Sequence, residues 1–403
     1  MSHAYRPETL IASAGVAADP AFNSVSPPLH LSANYAWSDP LDKPQYDYAR
    51  SGNPTRTQLE EAISQLEGAA RGVVVSSGMA ALDLVLNLVD PGDVVLAPHD
   101  CYGGTHRLLT ARAKRGQFEL VYANQTDPVA LAAAFQRKPK LVLVETPSNP
   151  LLRITDIRAV VAHAKSCRAI VVADNTFLSP ALQRPLDLGC DVVVHSTTKF
   201  INGHSDVVGG AVLAKDKALG DELAWWANCT GVTGAPFDSF LTLRGLRTLF
   251  PRIERQQATA GEVVARLAGD DRIAQIYYPG LETHPGHEIA MAQQNGFGSM
   301  FSIEFSEGVD VIELLRQLEI FTIAESLGGF ESLVCTPAAM THAAMTPEAR
   351  ATAGISDRLV RFSIGLEHVD DLVRDIETAL DLAIAESAGN VAYLANGAAS
   401  KCA

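Results

Sequence analysis

The sequence predicts an α/β protein with a mostly parallel central sheet, an extended N-terminal arm and a smaller α+β domain at the C-terminal end. Three observations support this prediction. Short apolar runs alternate with helical patterns through the middle of the chain, strands with polar alternation appear only in the last third, and the first part has almost no periodicity. The chain has 403 residues, a length that exceeds what one compact core usually holds, so two domains are expected. With 47% hydrophobic residues, it has enough apolar surface to build both.

The N-terminal region, residues 1–62, is expected to form an arm and a first helix. It is rich in Pro, Ser and Asn and shows little apolar pattern before "NPTRTQLEEAISQLEG". In that segment Asn53 can cap a helix, Pro54 suits the first turn, and an apolar stripe follows. The arm by itself would bury little surface, so we expect it to lie on another surface and to make contacts between subunits.

The large domain is expected over residues 63–255, where strands and helices alternate. Its predicted strands are "GVVVSS", "DVVLAP", "FELVYA", "KLVLVE", "AIVVAD", "DVVVHS" and "GGAVLA". Segments with helical spacing, such as "MAALDLVLNLV" and "ITDIRAVVAHAK", lie between them. Strands that are apolar on both sides indicate a mostly parallel sheet with helices on both faces.

The C-terminal domain is expected over residues 256–388 and has a different pattern. Its predicted strands, "IAQIYYP", "SMFSIEF" and "LVRFSIGLE", alternate between apolar and polar residues better than the earlier ones and indicate an antiparallel sheet. Helical patterns occur in "VIELLRQL" and "LVRDIETALDLAIA". Residues 389–403 are rich in small side chains, which favours a flexible tail.

The composition excludes several classes of partner. With 32 basic and 46 acidic side chains the formal net charge is −14, which argues against nucleic acid or an anionic membrane as a partner. No apolar run approaches the roughly 18 residues of a spanning helix, and "MSHAYRPETL" does not read as a signal peptide. Without an export signal, the six cysteines are expected to be free thiols in a cytoplasmic protein. No histidine or cysteine spacing indicates a metal site.

Lys199 raises the first chemical question, because it follows an apolar strand in "VVVHSTTKFINGHSDVVGG". A lysine at a strand end usually keeps its ammonium group in water. Here hydroxyl side chains precede the lysine and glycines follow it. A buried lysine has a lowered pKa, and its neutral amine is a nucleophile that forms Schiff bases with carbonyl compounds.

Two other segments place polar groups after apolar strands. In "VVVSSGMAALDLVLNLV" a helix starts at Gly78, so its free N–H groups can bind an anion, although an ordinary capped helix gives the same pattern. Asp174 in "VVADNTF" ends a strand, where clefts of open α/β sheets lie. It needs a partner such as a pyridinium nitrogen, or it caps the next helix. Together with Lys199, these groups match the phosphate, ring nitrogen and aldehyde of pyridoxal 5′-phosphate (PLP).

From about residue 8 to 385 the sequence resembles the Cys/Met-metabolism family of PLP enzymes, which have fold type I. The motifs that carry the resemblance are "YARSGNPTR", "SSGMAA", "CYGGTHR", "ETPSNP", "VADNTF", "HSTTKFINGHSDVVGG" and "ESLGGFESL". The resemblance implies an aspartate-aminotransferase-like fold, PLP as the cofactor and amino acids as substrates. It also implies an active dimer, paired into a homotetramer.

The resemblance also implies roles for individual residues. The residues implied at the cofactor are Lys199 (Schiff base), Asp174 (ring nitrogen), Tyr102 (stacked on the ring), Asn149 (near the ring hydroxyl), Gly78, Met79, Ser196 and Thr198 (phosphate), Tyr48 and Arg50 (phosphate of the neighbouring subunit), and Thr176 (cofactor binding). Those implied at the substrate are Arg361 and Ser326 (α-carboxylate), Asn149, Glu325 (amino group of a second amino acid) and Arg107 (distal carboxylate). Lys199, Tyr102 and Asp174 are the implied catalytic residues. Taken alone, Tyr102 would be a packing residue, Arg361 half of an ion pair and Arg107 a surface arginine.

Four segments most resemble the bacterial γ-synthase branch of this family: "PHDCYGGTHRLL", "KPKLVLVETPSNPLLR", "ELAWWANCTGVTGAPFDSFLTLRGLRTL" and "GHEIAMAQQNGFG". The implied reaction joins O-succinyl-L-homoserine and L-cysteine to give L-cystathionine and succinate. The alternative is the γ-lyase reaction, which converts cystathionine to cysteine, 2-oxobutanoate and ammonia. An alternative of a different class is a non-catalytic PLP-binding protein, which the joint presence of Lys199, Asp174 and Arg361 opposes.

Overall fold

The computed structural model describes residues 5–343 and 345–399. The helices are α1 (Pro7–Ala12), α2 (Pro54–Glu67), α3 (Gly78–Val85), α4 (Gly103–Lys114), α5 (Pro128–Phe135), α6 (Ile157–Cys167), α7 (Ser179–Leu182), α8 (Pro185–Leu188), α9 (Lys217–Thr230), α10 (Pro236–Leu246), α11 (Leu249–Leu267), α12 (His287–Gln293), α13 (Val311–Gln317), α14 (Pro347–Ala353) and α15 (Val369–Ala399). The strands are β1 (Arg71–Val75), β2 (Val94–Pro98), β3 (Glu119–Ala123), β4 (Leu141–Glu145), β5 (Ile170–Asp174), β6 (Val192–Ser196), β7 (Gly210–Ala214), β8 (Ile273–Tyr277), β9 (Met300–Phe305), β10 (Thr322–Ile323), β11 (Leu333–Cys335) and β12 (Leu359–Ser363).

The large sheet contains the seven strands that the apolar runs predict, in the order β1-β7-β6-β5-β4-β2-β3. All neighbouring strands are parallel except the two pairs that involve β7, which runs antiparallel to β1 and β6. The carboxyl ends of β4, β5 and β6 therefore meet at one edge of the sheet. The last residues of β4 and β5, Glu145 and Asp174, are direct partners there.

The two faces of this sheet form separate apolar cores. Along β6, Val193 packs in the core that contains Leu59 and Ile63 of α2. Val192 and Val194 pack in the other core, with residues of α3. Because side chains alternate along a strand, Ser196 at the end of β6 projects to the same side as α3. This geometry brings the last residue of β6 to the start of α3.

The N-terminal arm is held to the large domain through the start of α2. The Asn53 side chain caps this helix by accepting hydrogen bonds from the N–H groups of Thr55 and Arg56, as its sequence position predicts. The same side chain donates to the His30 carbonyl oxygen (2.9 Å) and the Tyr35 hydroxyl (3.1 Å), both in the arm. A set of large apolar side chains in the arm is exposed in the single chain: Phe22, Val25, Leu31, Leu41 and Tyr48. The arm thus has apolar surface that this chain alone does not cover.

The C-terminal part contains a second sheet in the order β10-β11-β12-β9-β8, antiparallel except for the pair β10–β11. The three predicted strands are present as β8, β9 and β12, whereas β10 and β11 have only two and three residues and show no readable pattern. Phe301, Phe305 and Phe362 lie in the core between this sheet and the helices α11, α13 and α15.

Two helices, α11 and α15, continue across limits that the sequence predicts between parts of the chain. Helix α11 continues across the predicted domain boundary at residue 255, because one face of it is buried from Leu249 to Leu267. Helix α15 continues to Ala399, into the predicted tail, since alanine and leucine favour a helix. Residues 400–403 of that tail lie outside the described residues. The domain limits themselves stay a prediction.

Candidate active site

A cavity of about 360 Å³ opens at the carboxyl ends of β4, β5 and β6. Twelve of the sequence-predicted residues line it: Gly78, Met79, Tyr102, Asn149, Asp174, Thr176, Ser196, Thr198, Lys199, Glu325, Ser326 and Arg361. These residues come from both the large domain and the C-terminal part of the chain. The large domain and the C-terminal part thus form the cavity together.

One wall of the cavity is the start of α3. Ser77 caps this helix by accepting a hydrogen bond from Ala80 N–H at 3.0 Å. A Cβ added at Gly78 would lie 2.7 Å from Ser196 Cβ, so only glycine allows this close approach. On the other side, the Thr198 hydroxyl is held by the backbone of Gly209, whose N–H donates to it at 3.0 Å. Free N–H groups at the start of α3 and two hydroxyls therefore form a cup that fits an anion such as phosphate.

Asp174 lies at the end of β5 and faces the cavity. Its Oδ1 accepts a hydrogen bond from Thr176 N–H at 3.0 Å, and the Thr176 hydroxyl accepts one from Ser196 N–H at 2.9 Å. Burial raises the pKa of Asp174, while hydrogen bonds from the Thr176 side chain and backbone act in the opposite direction. A carboxylate held in this way suits a cationic partner in the cavity, such as a protonated ring nitrogen.

Lys199 lies in the turn after β6, and its Nζ donates a hydrogen bond to Ser326 Oγ at 2.6 Å. Burial, together with the nearby charge of Arg361, lowers the pKa of Lys199 to about 8, and Glu325 opposes this effect. A larger fraction of the amine is therefore neutral near physiological pH than for an exposed lysine. This is the condition under which an amine attacks a carbonyl carbon.

Arg361 provides a buried cation beside Lys199, since both side chains bond to Ser326. It lies in β12, only 3% exposed, and donates to Asn149 Oδ1 at 3.0 Å and to the Ser326 carbonyl oxygen at 2.8 Å. Its Nε has no hydrogen-bond partner within the described part of the chain. A guanidinium group with an unused donor beside a lysine amine is suited to an α-amino acid, whose carboxylate it can bind.

Tyr102 lies at the start of α4 and is partly exposed over the cavity. A Cβ added at Gly104 would lie 2.5 Å from Tyr102 Cε1, so this glycine allows the ring to lie against the helix. Tyr102 N–H donates to Glu145 Oε2 at 2.8 Å. Glu145 was not predicted as a site residue, although its position at the end of an apolar strand was a usable signal.

Three sequence-predicted site residues lie away from the cavity in the single chain. Tyr48 and Arg50 are exposed in the arm, where the Arg50 guanidinium lies over the Tyr48 ring, 5.6 Å from its centroid. Arg107 is exposed on α4 and does not line the cavity. Val208 and Thr341, which were not predicted as site residues, do line it.

The profile of the Cys/Met metabolism PLP-dependent enzyme family matches residues 8–381. This chain belongs to that family. Its relatives include the cystathionine γ-synthase of Escherichia coli (strain K12), 50% identical over 92% of this chain and 96% of that enzyme. A cystathionine β-lyase of Lactococcus lactis subsp. cremoris (strain MG1363) is 42% identical over 93% of this chain and 98% of its own length. A cystathionine γ-lyase of Bacillus subtilis (strain 168) is 41% identical over 93% and 99%.

A solved structure extends the comparison to three dimensions. The crystal structure of cystathionine γ-synthase from Xanthomonas oryzae pv. oryzae, in complex with aminoacrylate and cysteine, is 55% identical and has a TM-score of 0.93 over 95% of this chain and 99% of that one. Membership of the Cys/Met metabolism family and this match confirm PLP fold type I and PLP as the cofactor. The cup at α3, the carboxylate of Asp174 and the amine of Lys199 fit the phosphate, ring nitrogen and aldehyde of PLP.

Three other expectations from the sequence concern metal sites, membrane-spanning helices and the state of the cysteines. Within residues 5–343 and 345–399, no group of three or more His, Cys, Asp or Glu side chains could hold a metal ion. Over the same residues no helix combines the length and apolarity that crossing a membrane requires. Five of the cysteines, Cys101, Cys167, Cys190, Cys229 and Cys335, are free thiols, and Cys402 lies outside the described residues.

Proposed function

We propose that this chain catalyses γ-replacement, joining O-succinyl-L-homoserine and L-cysteine to give L-cystathionine and succinate. The observation that supports this choice is the difference in identity within one family. The chain is 50% and 55% identical to two cystathionine γ-synthases, but 42% and 41% identical to a β-lyase and a γ-lyase, over similar lengths. The cavity supports the part that these reactions share, the binding of an α-amino acid beside a nucleophilic lysine.

The residues around the cavity would hold the cofactor in the following way. The phosphate would lie at Gly78, Met79, Ser196 and Thr198; Asp174 would bind the ring nitrogen, Thr176 and Asn149 would lie beside the ring, Tyr102 would cover it, and Lys199 would bind the aldehyde. Bound PLP supplies a carbonyl group for the substrate amine and a ring that takes up electrons from Cα. Asp174 keeps a proton on the ring nitrogen, because its carboxylate stabilises the positive charge there.

The remaining steps belong to side chains of this protein. Arg361 binds the substrate α-carboxylate with its unused Nε–H, and Ser326 helps to hold it. Lys199, once its amine is free, removes the proton at Cα and moves protons at Cβ; a pKa of about 8 suits both directions of transfer near neutral pH. Tyr102 covers the ring and limits the access of water. Glu325, exposed at the cavity, positions the amino group of the incoming cysteine.

Two parts of this proposal reach beyond the cavity. Arg107 would bind the distal carboxylate of the succinyl group, which requires its side chain to turn from the exposed face of α4 towards the cavity. Tyr48 and Arg50 would complete the phosphate site of a neighbouring subunit, within a homotetramer built from two active dimers. A cytoplasmic location also stays a prediction.

A lyase reaction on cystathionine is the second candidate, supported by the two lyases that are 42% and 41% identical. A non-catalytic PLP-binding protein would not need Arg361 at the same cavity as Lys199 and Asp174. Both lyase reactions use the same amine and the same carboxylate clamp. The choice therefore depends on whether the site accepts cysteine as the second substrate.

Product analysis separates these reactions. The PLP-loaded protein is supplied with O-succinyl-L-homoserine plus L-cysteine, and separately with L-cystathionine alone. We expect cystathionine and succinate to form in equal amounts in the first reaction, faster than cystathionine is cleaved in the second. Release of 2-oxobutanoate or pyruvate from cystathionine at a higher rate than synthesis would make the protein a lyase. The Lys199→Ala variant serves as the inactive control.

A further inference from the structure

Glu145 is a carboxyl group at the cavity for which the proposed mechanism gives no role. It is the last residue of β4, and its Cα is paired with that of Asp174 across the parallel pair β4–β5. Neighbouring strands lie about 4.8 Å apart, and paired residues project to the same face. Both side chains line the cavity, and Glu145 is 8% exposed. Two carboxyl groups thus stand side by side where the cofactor ring is proposed to lie.

The two carboxyl groups have different hydrogen-bond partners. Glu145 Oε2 accepts from Tyr102 N–H at 2.8 Å, which fixes the backbone at the start of α4. Asp174 Oδ1 accepts from Thr176 N–H at 3.0 Å, and Thr176 is also bonded to the backbone of Ser196. Glu145 is therefore tied to the residue that covers the cavity, and Asp174 to the residues around the proposed phosphate cup.

Electrostatics favours one proton on this pair, because two adjacent carboxylates in a dry site do not both ionise. Burial raises the pKa of Glu145 well above its ordinary value, and the charges of Asp174 and Asp100 add to this effect. Asp100 forms an ion pair with Arg153 at 2.9 Å. The nearby Cys101 thiol stays neutral, because burial raises its pKa. Backbone hydrogen bonds from Tyr102 and Asn149 oppose this rise at Glu145, as those from Thr176 do at Asp174, but the charge of Asp100 raises the pKa of Glu145 and not that of Asp174.

We propose that Glu145 is a positioning residue that works as a neutral carboxylic acid, holding the backbone of Tyr102 and leaving Asp174 as the ionised member of the pair. This inference rests on the proposed role of Asp174, but it does not depend on which amino acids are the substrates. Its consequence is that a single negative charge faces the ring nitrogen. A second charge would strengthen the negative potential and disfavour the release of protons from bound PLP and from Lys199.

The test compares Glu145→Gln, Glu145→Ala and Asp174→Asn as full-length, PLP-loaded proteins. Glutamine has the shape and neutrality of a protonated glutamate and keeps an acceptor for Tyr102 N–H. Two quantities are measured: the pH midpoint of the absorbance change of bound PLP, and the rate of PLP release after dilution. Neither measurement uses an amino-acid substrate, so a failure of the γ-replacement assay would leave this test intact. Circular dichroism checks that each variant is folded.

We expect Glu145→Gln to keep the midpoint within about 0.3 pH unit and the release rate within about twofold of the unmodified protein, because no charge is removed. Glu145→Ala should release PLP roughly tenfold faster, since Tyr102 N–H loses its acceptor, at a cost of about 1 to 2 kcal/mol. Asp174→Asn should shift the midpoint down by about one unit or more.

Three results would overturn the inference. A midpoint shift in Glu145→Gln as large as that in Asp174→Asn would mean that Glu145 carries a charge. Release of PLP from Glu145→Ala at the unmodified rate would mean that Glu145 does not position Tyr102. An unchanged midpoint in Asp174→Asn would contradict the role of Asp174, and with it the pairing on which the inference rests.

Discussion

Lys199 shows how position changes the chemistry of one residue. Its amine lies in the turn after β6, bonded to Ser326 Oγ at 2.6 Å and close to the cation of Arg361. Burial and this neighbouring charge both disfavour the ammonium form, whereas Glu325 favours it. The pKa of Lys199 is therefore about 8, instead of the ordinary value of 10.5. A lysine in this state serves as a nucleophile and as a proton carrier.

The acetylation of Lys199 should consequently have a lower pH midpoint than the acetylation of an exposed lysine. In PLP-free protein treated briefly with acetic anhydride, we expect acetylation of Lys199 to rise with pH through about 8. In Arg361→Gln the midpoint should move upward, because a cation that disfavours the ammonium group is removed. The measurement is the acetylated fraction of the Lys199 peptide by mass spectrometry at each pH.

The matched control is Arg374→Gln, which removes an exposed arginine that is paired with Asp371 on α15. This change should leave the Lys199 midpoint where it is. A midpoint in the unmodified protein near that of an ordinary lysine would contradict the environment described for Lys199. An equal shift in both arginine variants would point to net charge as the cause.

Local sequence predicted some site residues and not others, for physical reasons. Lys199 and Asp174 could be found because each follows an apolar strand, and strand ends of an α/β sheet meet at one edge. The contact of Arg361 with Asn149 joins residues 212 positions apart, so no local pattern contains it. Glu145 was missed because its role depends on its neighbour Asp174 in the next strand. Only the strand register shows that the two carboxyl groups are adjacent.

At the scale of elements, the clarity of the apolar pattern decided what could be predicted. All seven strands of the large sheet were predicted, because a strand covered by helices on both faces is a continuous apolar run. Strands β10 and β11 were not, since two or three residues are too few to show an alternation. In addition to the pairing of β11 with β12, the segment between α13 and β12 makes loop contacts, such as the hydrogen bond from Gly328 N–H to Ser363 Oγ at 2.9 Å.

The start of α2 provides a prediction for a single element. Asn53→Ala should destabilise the protein by about 2 kcal/mol or more, because a helix cap and the two buried hydrogen bonds to the arm are lost together. The measurement is the free energy of unfolding in urea. Asn53→Ser keeps a hydroxyl acceptor for the cap and removes the amide donor to His30 and Tyr35 without adding a charge, so its effect should be smaller.

Asp216→Ala is the control, since Asp216 caps α9 with two similar hydrogen bonds but is exposed and bonds to nothing in the arm. We expect it to cost about 1 kcal/mol. If Asn53→Ala costs no more than Asp216→Ala, the side chain does not connect the arm to α2. The contacts of Asn53 with the arm would then contribute nothing measurable to the free energy of unfolding.

For the whole molecule, the arm is the feature that a single chain does not explain. Leu41 is 95% exposed and Phe22 is 87% exposed, and Tyr48 and Arg50 lie outside the cavity of their own chain. Exposed apolar groups of this size indicate a surface that another protein covers. The proposed dimer accounts for them, because the arm of one subunit would lie on the large domain of the other.

Mixed dimers test this assembly. Arg50→Ala and Lys199→Ala subunits are each expected to be nearly inactive, and co-expression should restore part of the activity. In a mixed dimer, one site pairs the intact Lys199 of one chain with the intact Arg50 of the other. Random pairing makes about half of the dimers mixed, so about a quarter of the unmodified activity should return. Verified mixed dimers that are no more active than the parent variants would contradict a shared site.

Every proposed role depends on Lys199 as the amine that binds the cofactor, and one measurement tests this most directly. The whole protein, loaded with PLP, is reduced with borohydride, its intact mass is determined, and the modified peptide is identified. The account predicts one pyridoxyl group per chain, located on Lys199, absent in Lys199→Ala and present in Lys215→Ala, whose lysine bonds to the Leu186 carbonyl oxygen away from the cavity. A reduced protein with no added mass, or with the group on another lysine, would contradict it.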